Sequence, residues 1–167
     1  VIEAAKKVGI DAFLDHAPHE LSGGQKQRVS LAGVMVDNVE IFLFDEPLAN
    51  LDPASGKKTI ELIDQIHKDT GATIIIVEHR IEDVLHRNVD RVVLMGDGSI
   101  IADTTPDKLL SSDLLIKNGI REPLFVTALK YSGIEIKEEM RPGMMDTLIL
   151  SDSEKRRIRQ WIESVPD

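Results

Sequence analysis

Cysteine is absent from this chain of 167 residues. Disulfide bonds and thiolate-bound zinc or iron–sulfur centres are therefore excluded, and a reducing compartment is permitted. Long apolar runs are absent too, because the longest, residues 41–44 and 74–77, fall far below the roughly 18 residues that span a bilayer. We therefore expect no membrane-spanning segment.

Basic residues are outnumbered, with 20 lysines and arginines against 29 aspartates and glutamates and a formal net charge of −9. A nucleic-acid-binding protein usually presents a basic surface, so this balance argues against a nucleic-acid partner. The hydrophobic content of 42% can fill a core, which excludes disorder for most of the chain. Residues 1–8 have an amphipathic helical pattern without a basic start. We expect no signal peptide here and interpret the chain as a piece of a longer protein.

The hydrophobic pattern predicts an α/β fold. Residues 40–44 have the composition of a strand buried on both faces of a parallel sheet, and residues 73–77 form a second, β-branched strand. Between them, isoleucines recur at near-helical spacing from Pro53 until Gly71, which supplies a stop. Strand, helix and strand in this order form a βαβ unit, normally with a right-handed crossover.

The distribution of charge predicts two regions. Most of the acidic excess lies in residues 1–110, whereas residues 111–167 are nearly neutral. The first region also contains the dipeptide Asp97-Gly98, which predicts a hairpin turn between two short strands.

Two adjacent carboxylates follow the first predicted strand, Asp45 and Glu46. Open α/β sheets bind ligands at the carboxyl ends of their strands. Burying a carboxylate without a partner is costly, so two acids here indicate a cation, a proton-transfer role or both. In phosphoryl-transfer sites one acid holds Mg²⁺ and a neighbouring group orients the attacking water. The alternative is a strand end followed by two solvated acids.

The pentapeptide Leu21-Ser22-Gly23-Gly24-Gln25 lies upstream, at the start of a predicted helix that runs to about residue 36. A serine and two glycines offer a capping hydroxyl and open backbone N–H groups at the positive end of a helix dipole. Such an end binds anions such as phosphate. Without further context, an ordinary capped helix explains the same residues.

Two further elements complete the pattern. Leu48-Ala49-Asn50-Leu51-Asp52 forms a tight connection after the acids, and Glu78-His79 follows the second strand. The imidazole of His79 could contact a terminal phosphate, although a lone histidine in this position is more often structural.

These four elements, in this order and spacing, resemble the nucleotide-binding domain of ATP-binding-cassette (ABC) proteins. The resemblance covers residues 1–110, and its unbroken match is the five-residue signature beginning at Leu21. It implies an incomplete P-loop NTPase core with part of the helical subdomain, followed by a small α+β C-terminal extension. It further implies the following roles: Asp45 as the Walker B acid that binds Mg²⁺, Glu46 as the catalytic glutamate, Asn50 to Asp52 as the D-loop and His79 as the switch histidine.

In this family ATP is sandwiched between two domains. The resemblance therefore implies that Ser22, Gly23, Gly24 and Gln25 meet the γ-phosphate of a nucleotide held by a second ABC ATPase domain, in a homodimer or heterodimer. The cofactors would be ATP and Mg²⁺, and the other partners integral membrane transporter subunits. The place of action would be the cytoplasmic side of the cell membrane, as a peripheral subunit.

The family's phosphate cradle, Gly-x-x-x-x-Gly-Lys-Ser/Thr, has no counterpart in this sequence. Without its backbone N–H groups and lysine, a triphosphate loses most of its contacts. We therefore expect the isolated chain to be inactive as an ATPase. In the family the strand leading into the cradle lies between the strand at 73–77 and the hairpin, so we also expect open sheet edges here.

Residues 111–167 resemble the tail that follows the first cassette in double-cassette ATPases of energy-coupling-factor vitamin importers. Ser151-Asp152 predicts the start of a helix with Ile158, Trp161, Ile162 and Val165 on one face. Packing of this face against the domain is favoured over a dedicated partner surface. The basic residues around Arg156 indicate a solvated face, with binding to a membrane surface or an acidic partner as the alternative.

The resemblance implies an ATP-hydrolysing subunit of an ABC importer, coupling hydrolysis to transport, of a vitamin or its precursor. One alternative is a soluble ABC ATPase of DNA repair or translation. Repair proteins carry a long coiled coil before the signature, which this chain lacks, and translation factors usually carry Glu where Gln25 stands. A third alternative is a non-catalytic module that only docks on a partner.

Overall fold

The computed structural model describes residues 1–37, 39–49 and 51–164. In these residues the strands are β1 (Ile41–Asp45), β2 (Thr73–Val77), β3 (Val92–Gly96) and β4 (Ser99–Thr104). The α helices are α1 (Ile2–Lys7), α2 (Gly23–Val34), α3 (Pro53–Thr70), α4 (Ile81–Val84), α5 (Pro106–Leu110), α6 (Leu114–Lys117), α7 (Leu124–Tyr131) and α8 (Asp152–Ser164). Short 3₁₀ helices lie at Asp11–Phe13, Pro18–Glu20, Glu138–Met140 and Met145–Thr147.

The chain forms two compact units, Val1–Glu78 and His79–Asp167. In the first unit β1 pairs in parallel with β2, with Asp45 opposite Val77, and α3 makes the connection. This is the predicted βαβ unit. Helix α3 ends where predicted, because Gly71 adopts the left-handed conformation (φ +68°) and its N–H bonds to the carbonyl of His67.

The expectation that β1 is buried on both faces is wrong. Phe42 is buried beneath α3, in a cluster with Ile66 and Ala72, but Leu43 on the opposite face is 67% exposed and Ile75 beside it is 47% exposed. The reason is that helices cover only one face of this two-stranded sheet among the described residues. An apolar run indicates that a strand can be buried on both faces, but burial also requires other segments that pack on each face.

Helices α1 and α2 form the other part of the first unit. Ala4, Ala5 and Val8 of α1 and its C-terminal turn pack against Ala32 of α2, with Leu62 of α3 at the margin of the cluster. The signature helix is therefore held from the side that carries Ala32. Its first turn stays at the surface, where Ser22 and Gly23 are exposed.

The second unit begins with the predicted hairpin. Strands β3 and β4 pair antiparallel, and both turn residues, Asp97 (φ +46°) and Gly98 (φ +73°), are left-handed, as a two-residue hairpin turn with the twist of the strands requires. The two sheets are separate, β1 with β2 and β3 with β4. Among the described residues, no strand pairs with the second edge of β2, as the missing cradle strand leads one to expect.

The rest of the second unit is helical. No strand is found after Thr104 in residues 105–164, so the expected α+β extension is corrected to a helical one. The apolar segment before α8 runs as irregular chain, where the N–H of Ile149 bonds to the carbonyl of Met140. The core of this unit joins Leu94 of β3 to the helices through the buried Leu109 and Val126. This core includes residues on both sides of the boundary predicted between residues 110 and 111, and that boundary stays a prediction.

Helix α8 partly follows its predicted face. Ile158 packs against the core, and Trp161 stacks on Tyr131 with ring centroids 6.5 Å apart, whereas Ile162 is exposed. Val165 lies outside the described residues. Among the helices of residues 1–37, 39–49 and 51–164, none combines the length and apolarity needed to cross a bilayer.

Candidate functional site

Asp45 and Glu46 lie at the carboxyl end of β1, as predicted. Both are exposed, so the cost of burying a carboxylate does not act on them. Glu46 has a left-handed backbone (φ +45°), which is uncommon for a residue with a side chain, and its N–H donates to the carbonyl of Val77 at 2.9 Å. The bond extends the β1–β2 pairing by one residue and turns the chain sharply just after Asp45. Strained backbone of this kind is concentrated at functional sites.

The turn after Glu46 is fixed by hydrogen bonds from three directions. The N–H of Ala49 bonds to the carbonyl of Glu46 at 3.0 Å, and the N–H of Leu48 donates to Oε1 of Glu78 at 3.1 Å. The amide of Gln27, on α2, donates to the carbonyl of Pro47 at 3.5 Å. This one turn thus connects the signature helix, the acidic end of β1 and the end of β2.

The signature forms a capping box at the start of α2. The N–H of Gln25 donates to Oγ of Ser22 at 3.3 Å, and the N–H of Ser22 donates to Oε1 of Gln25 at 2.7 Å. In the described residues the N–H groups of Gly23 and Gly24 find no protein acceptor. Neither glycine has a heavy atom within 4 Å of the position that a Cβ would take, so an anion can approach their backbone closely.

Asp52 caps α3. Its Oδ1 accepts hydrogen bonds from the N–H groups of Ala54 and Ser55, each at 3.0 Å. Hydrogen bonding from Ser55, by side chain and by backbone, lowers the pKa of the Asp52 carboxyl, because a bonded carboxylate resists protonation. Asp52 is therefore engaged in holding the helix. Asn50 lies outside the described residues.

A cavity of about 240 Å³ separates the first turns of α2 and α3. It is lined by Ser22, Gly24 and Gln25 of the signature, by Arg28 of α2, by Leu51, and by Ser55, Lys58 and Thr59 of α3. No acidic side chain is found among these lining residues of the described structure, although the chain as a whole is acidic. The cavity combines hydroxyl groups, cations and helix N-termini.

The carboxylates suit a magnesium ion that is shared with phosphate. Magnesium is usually held by one or two carboxylates together with waters and phosphates, without a cage of protein ligands. The side chain of Asp45 has no hydrogen-bond or ion-pair partner among the described residues, and those residues contain no group of three or more potential metal ligands. The Asp45 carboxylate is therefore available to such an ion.

His79 is exposed and follows β2 by two residues. It is the first residue of the second unit, whereas Asp45, Glu46, Asp52 and the signature belong to the first. The structure therefore brings together the acids and the signature through the turn after Glu46, and the role of His79 stays a prediction.

Sequence reasoning missed three contributors to this site. Glu78 was noted only as the neighbour of His79, although it holds Leu48; Gln27 and Lys58 were not singled out. Glu78 directly follows Val77, the residue of β2 that lies opposite Asp45, and this position was a usable signal. Lys58 carried none, because a lysine on an amphipathic helix is ordinarily solvated.

Family models match two separate segments. A model described as "ABC transporter" matches residues 1–49, which contain the signature and both acids. A model described as "ATP-binding cassette cobalt transporter" matches residues 112–167.

Curated relatives are similar along nearly the whole chain. A Vibrio parahaemolyticus protein named as an ABC transporter ATP-binding protein is 58% identical over 95% of this chain, and a Clostridium perfringens protein named in the same way is 56% identical over 96%. The chain spans only 27% and 28% of the length of these two relatives.

Solved structures share the fold. The structure of cbiO1 from Clostridium perfringens, described as part of the ABC transporter complex cbiONQ, has a TM-score of 0.63 and 33% identity, covering 77% of this chain and 51% of its own. MJ1267, an ATP-binding cassette of an ABC transporter, has a TM-score of 0.64 at 24% identity, covering 72% of this chain and 48% of its own. The latter likeness supports the fold alone.

Proposed function

We propose that this chain, which contains part of an ABC transporter ATP-binding domain, supplies the signature half of a shared ATP site and the acids of a hydrolytic centre. The observation that carries the proposal is the start of α2. There Ser22 and Gln25 cap each other, while the N–H groups of Gly23 and Gly24 stay open, and Gly24 lines a cavity with no acidic residue among its described lining. These donors suit the γ-phosphate of ATP bound on a second ATPase domain.

The hydrolytic roles follow from position. Asp45 would bind Mg²⁺, which neutralises charge on the phosphates when bound. Glu46 would orient the attacking water from its left-handed turn, and His79 would contact the γ-phosphate. Asp52 would support this region through the N-terminus of α3, where its carboxylate is already engaged.

In its biological setting the domain would pair with a second ABC ATPase domain and with integral membrane transporter subunits, as a peripheral subunit on the cytoplasmic side. The cargo that the resemblance suggests is a vitamin or its precursor, taken up by import. A second candidate is cobalt, supported by the description of the family model that matches residues 112–167. In both cases the cargo would be recognised by the membrane subunits.

A non-catalytic docking module is the competing proposal for the isolated chain. It is supported by the lack of a phosphate cradle in the sequence. Under this proposal the open N–H groups of Gly23 and Gly24 would have no ligand.

The test is association with a complete ATPase domain. The chain is mixed with purified cbiO1 of Clostridium perfringens and followed by sedimentation velocity with Mg²⁺ and ATP, and in parallel with a non-hydrolysable ATP analogue, because Glu46 does not act on a nucleotide that cbiO1 holds. We expect an ATP-dependent complex that ADP does not support. Gly24→Asp should abolish the complex, because its carboxylate would face the γ-phosphate. A complex that is indifferent to nucleotide and to Gly24→Asp would favour the docking module.

A further inference from the structure

We infer that Lys58, on α3, is a phosphate-binding residue of the signature cavity, a role that rests on the proposed function. By signature cavity we mean the space lined by Ser22, Gly24, Gln25, Ser55, Lys58 and Thr59. Lys58 lies six residues after Asp52, the cap of α3, and lines the same cavity as Gly24 of the signature. The residue lies outside every motif that the sequence analysis singled out.

The charge of Lys58 is not used elsewhere in the first unit. No carboxylate lies within ion-pair distance of its ammonium among the described residues, whereas Lys68 on the same helix pairs with Asp64 at 2.7 Å. Glu61 lies three residues further along α3 but forms no ion pair with Lys58 among the described residues, and Asp52, six residues before it, accepts hydrogen bonds from the N–H groups of Ala54 and Ser55. A cation that borders a cavity free of acidic side chains favours an anionic occupant.

The second cation at the cavity, Arg28, is less available. Its Nη1 lies 3.6 Å from the position that a Cβ on Gly9 would occupy, so its guanidinium reaches towards the C-terminal end of α1. That end carries the negative pole of a helix, which attracts a cation. Of the two cations among the described lining residues, Lys58 is the one that is not directed towards α1.

The occupant fitted by these groups is a phosphate group. The Ser22 hydroxyl and the N–H of Gly24 are the donors open to it, because the Thr59 hydroxyl already donates to the carbonyl of Ser55 and the Ser55 hydroxyl is engaged with Asp52. Lys58 adds a mobile point charge, which is how lysine binds phosphate. The volume of about 240 Å³ admits a phosphate with its waters. The source is either the terminal phosphate of a nucleotide or free phosphate, and the arms of the experiment distinguish them.

The experiment titrates the ¹⁵N-labelled chain with sodium tripolyphosphate at low salt and follows the amide signals of Gly23 and Gly24. Lys58→Met keeps the length of the side chain and removes its charge. We expect it to weaken binding about two- to fivefold, the range for one exposed charge contact. Lys57→Met is the matched control, because Lys57 is the exposed neighbour that does not line the cavity. It should leave the affinity unchanged.

The outcomes separate this inference from the proposed function. Equal weakening by Lys58→Met and Lys57→Met would show a general charge effect and overturn the role of Lys58. If Gly24→Asp abolishes binding while Lys58→Met does not weaken it, the signature site stands and only Lys58 is removed from it. No response of the two glycine amides would overturn both.

Parallel titrations identify the source of the phosphate. Tighter binding of tripolyphosphate and MgATP than of inorganic phosphate, with both weakened by Lys58→Met, supports a nucleotide phosphate. Equal affinities that are weakened in the same way support free phosphate. Circular dichroism melts of each variant, expected to match the parent, verify that the substitutions leave the fold intact.

Discussion

Oε1 of Glu78 accepts a hydrogen bond from the backbone N–H of Leu48 at 3.1 Å. Leu48 is fully buried and lies two residues after Glu46, so the carboxylate at the end of β2 holds the turn that follows the acidic end of β1. Gly56 of α3 packs against the same leucine, since a Cβ on it would lie 3.8 Å from the Leu48 side chain. The backbone geometry of Glu46 therefore depends on Glu78, which lies 32 residues further along the chain.

Removing the Glu78 carboxylate should loosen this turn. We expect Glu78→Ala to lower the free energy of unfolding by about 1–2 kcal/mol, because the N–H of Leu48 loses its acceptor. Glu78→Gln retains Oε1 as an acceptor and should cost clearly less. Urea denaturation followed by circular dichroism measures both, and equal stabilities of the Ala and Gln variants would contradict the proposed role of the hydrogen bond.

The sequence was sufficient to predict the βαβ unit, the stop at Gly71 and the hairpin at Asp97-Gly98. These features depend on local rules, namely residue spacing and the ability of glycine to adopt positive φ. The exposed face of β1 at Leu43 was not predictable in this way, because burial depends on which segments are present to cover it.

Long-range contacts account for the other differences. The left-handed backbone of Glu46 has no local sequence signal, since it is held by Val77 and by the turn that Glu78 fixes. The resemblance implies that the acids and the signature belong to one domain, residues 1–110, with the signature acting on a nucleotide held by a second domain. The bond from Gln27 to Pro47, which joins them physically, became visible only in the structure.

The isolated chain should show no ATPase activity above background with Mg²⁺. Asp45 and Glu46 have no phosphate cradle in this sequence to present a triphosphate to them. Phosphate release from purified chain is the measurement, with Glu46→Gln as the control for contaminating ATPases. Turnover in the parent that disappears in Glu46→Gln would contradict the prediction.

In a longer protein that contains this chain together with a cradle, Glu46→Gln should retain nucleotide binding and stop hydrolysis. It removes the water-orienting carboxylate but leaves Asp45 for the metal, and the loss of such a group typically lowers the rate about 10²- to 10⁴-fold. Single-turnover hydrolysis and equilibrium binding of a fluorescent ATP analogue separate the two effects. An unchanged single-turnover rate would remove Glu46 from the mechanism.

The cap of α3 should make part of the stability dependent on pH. Hydrogen bonding from Ser55 lowers the pKa of Asp52, so the folded state binds the proton less readily than the unfolded state does. The stabilisation is therefore fully present above the unfolded pKa of about 3.9 and is lost as the pH falls through the lower folded value. Asp52→Asn should be less stable than the parent at neutral pH and converge with it in acid. A difference in unfolding free energy that does not shrink with acidification would contradict this.

The exposed sheet should make the chain self-associate. Leu43 and Ile75 are neighbours on the open face of β1 and β2, and among the described residues the second edge of β2 has no pairing strand. Open β-branched strands with exposed apolar side chains are templates for pairing with another chain. We expect light scattering at micromolar concentration to show oligomers, and Leu43→Lys to shift them towards the monomer. Ile116→Lys, at a 56% exposed position on α6 outside this sheet, is the matched control and should leave the oligomers in place. A stable monomer of the parent chain would show that the open face does not drive association.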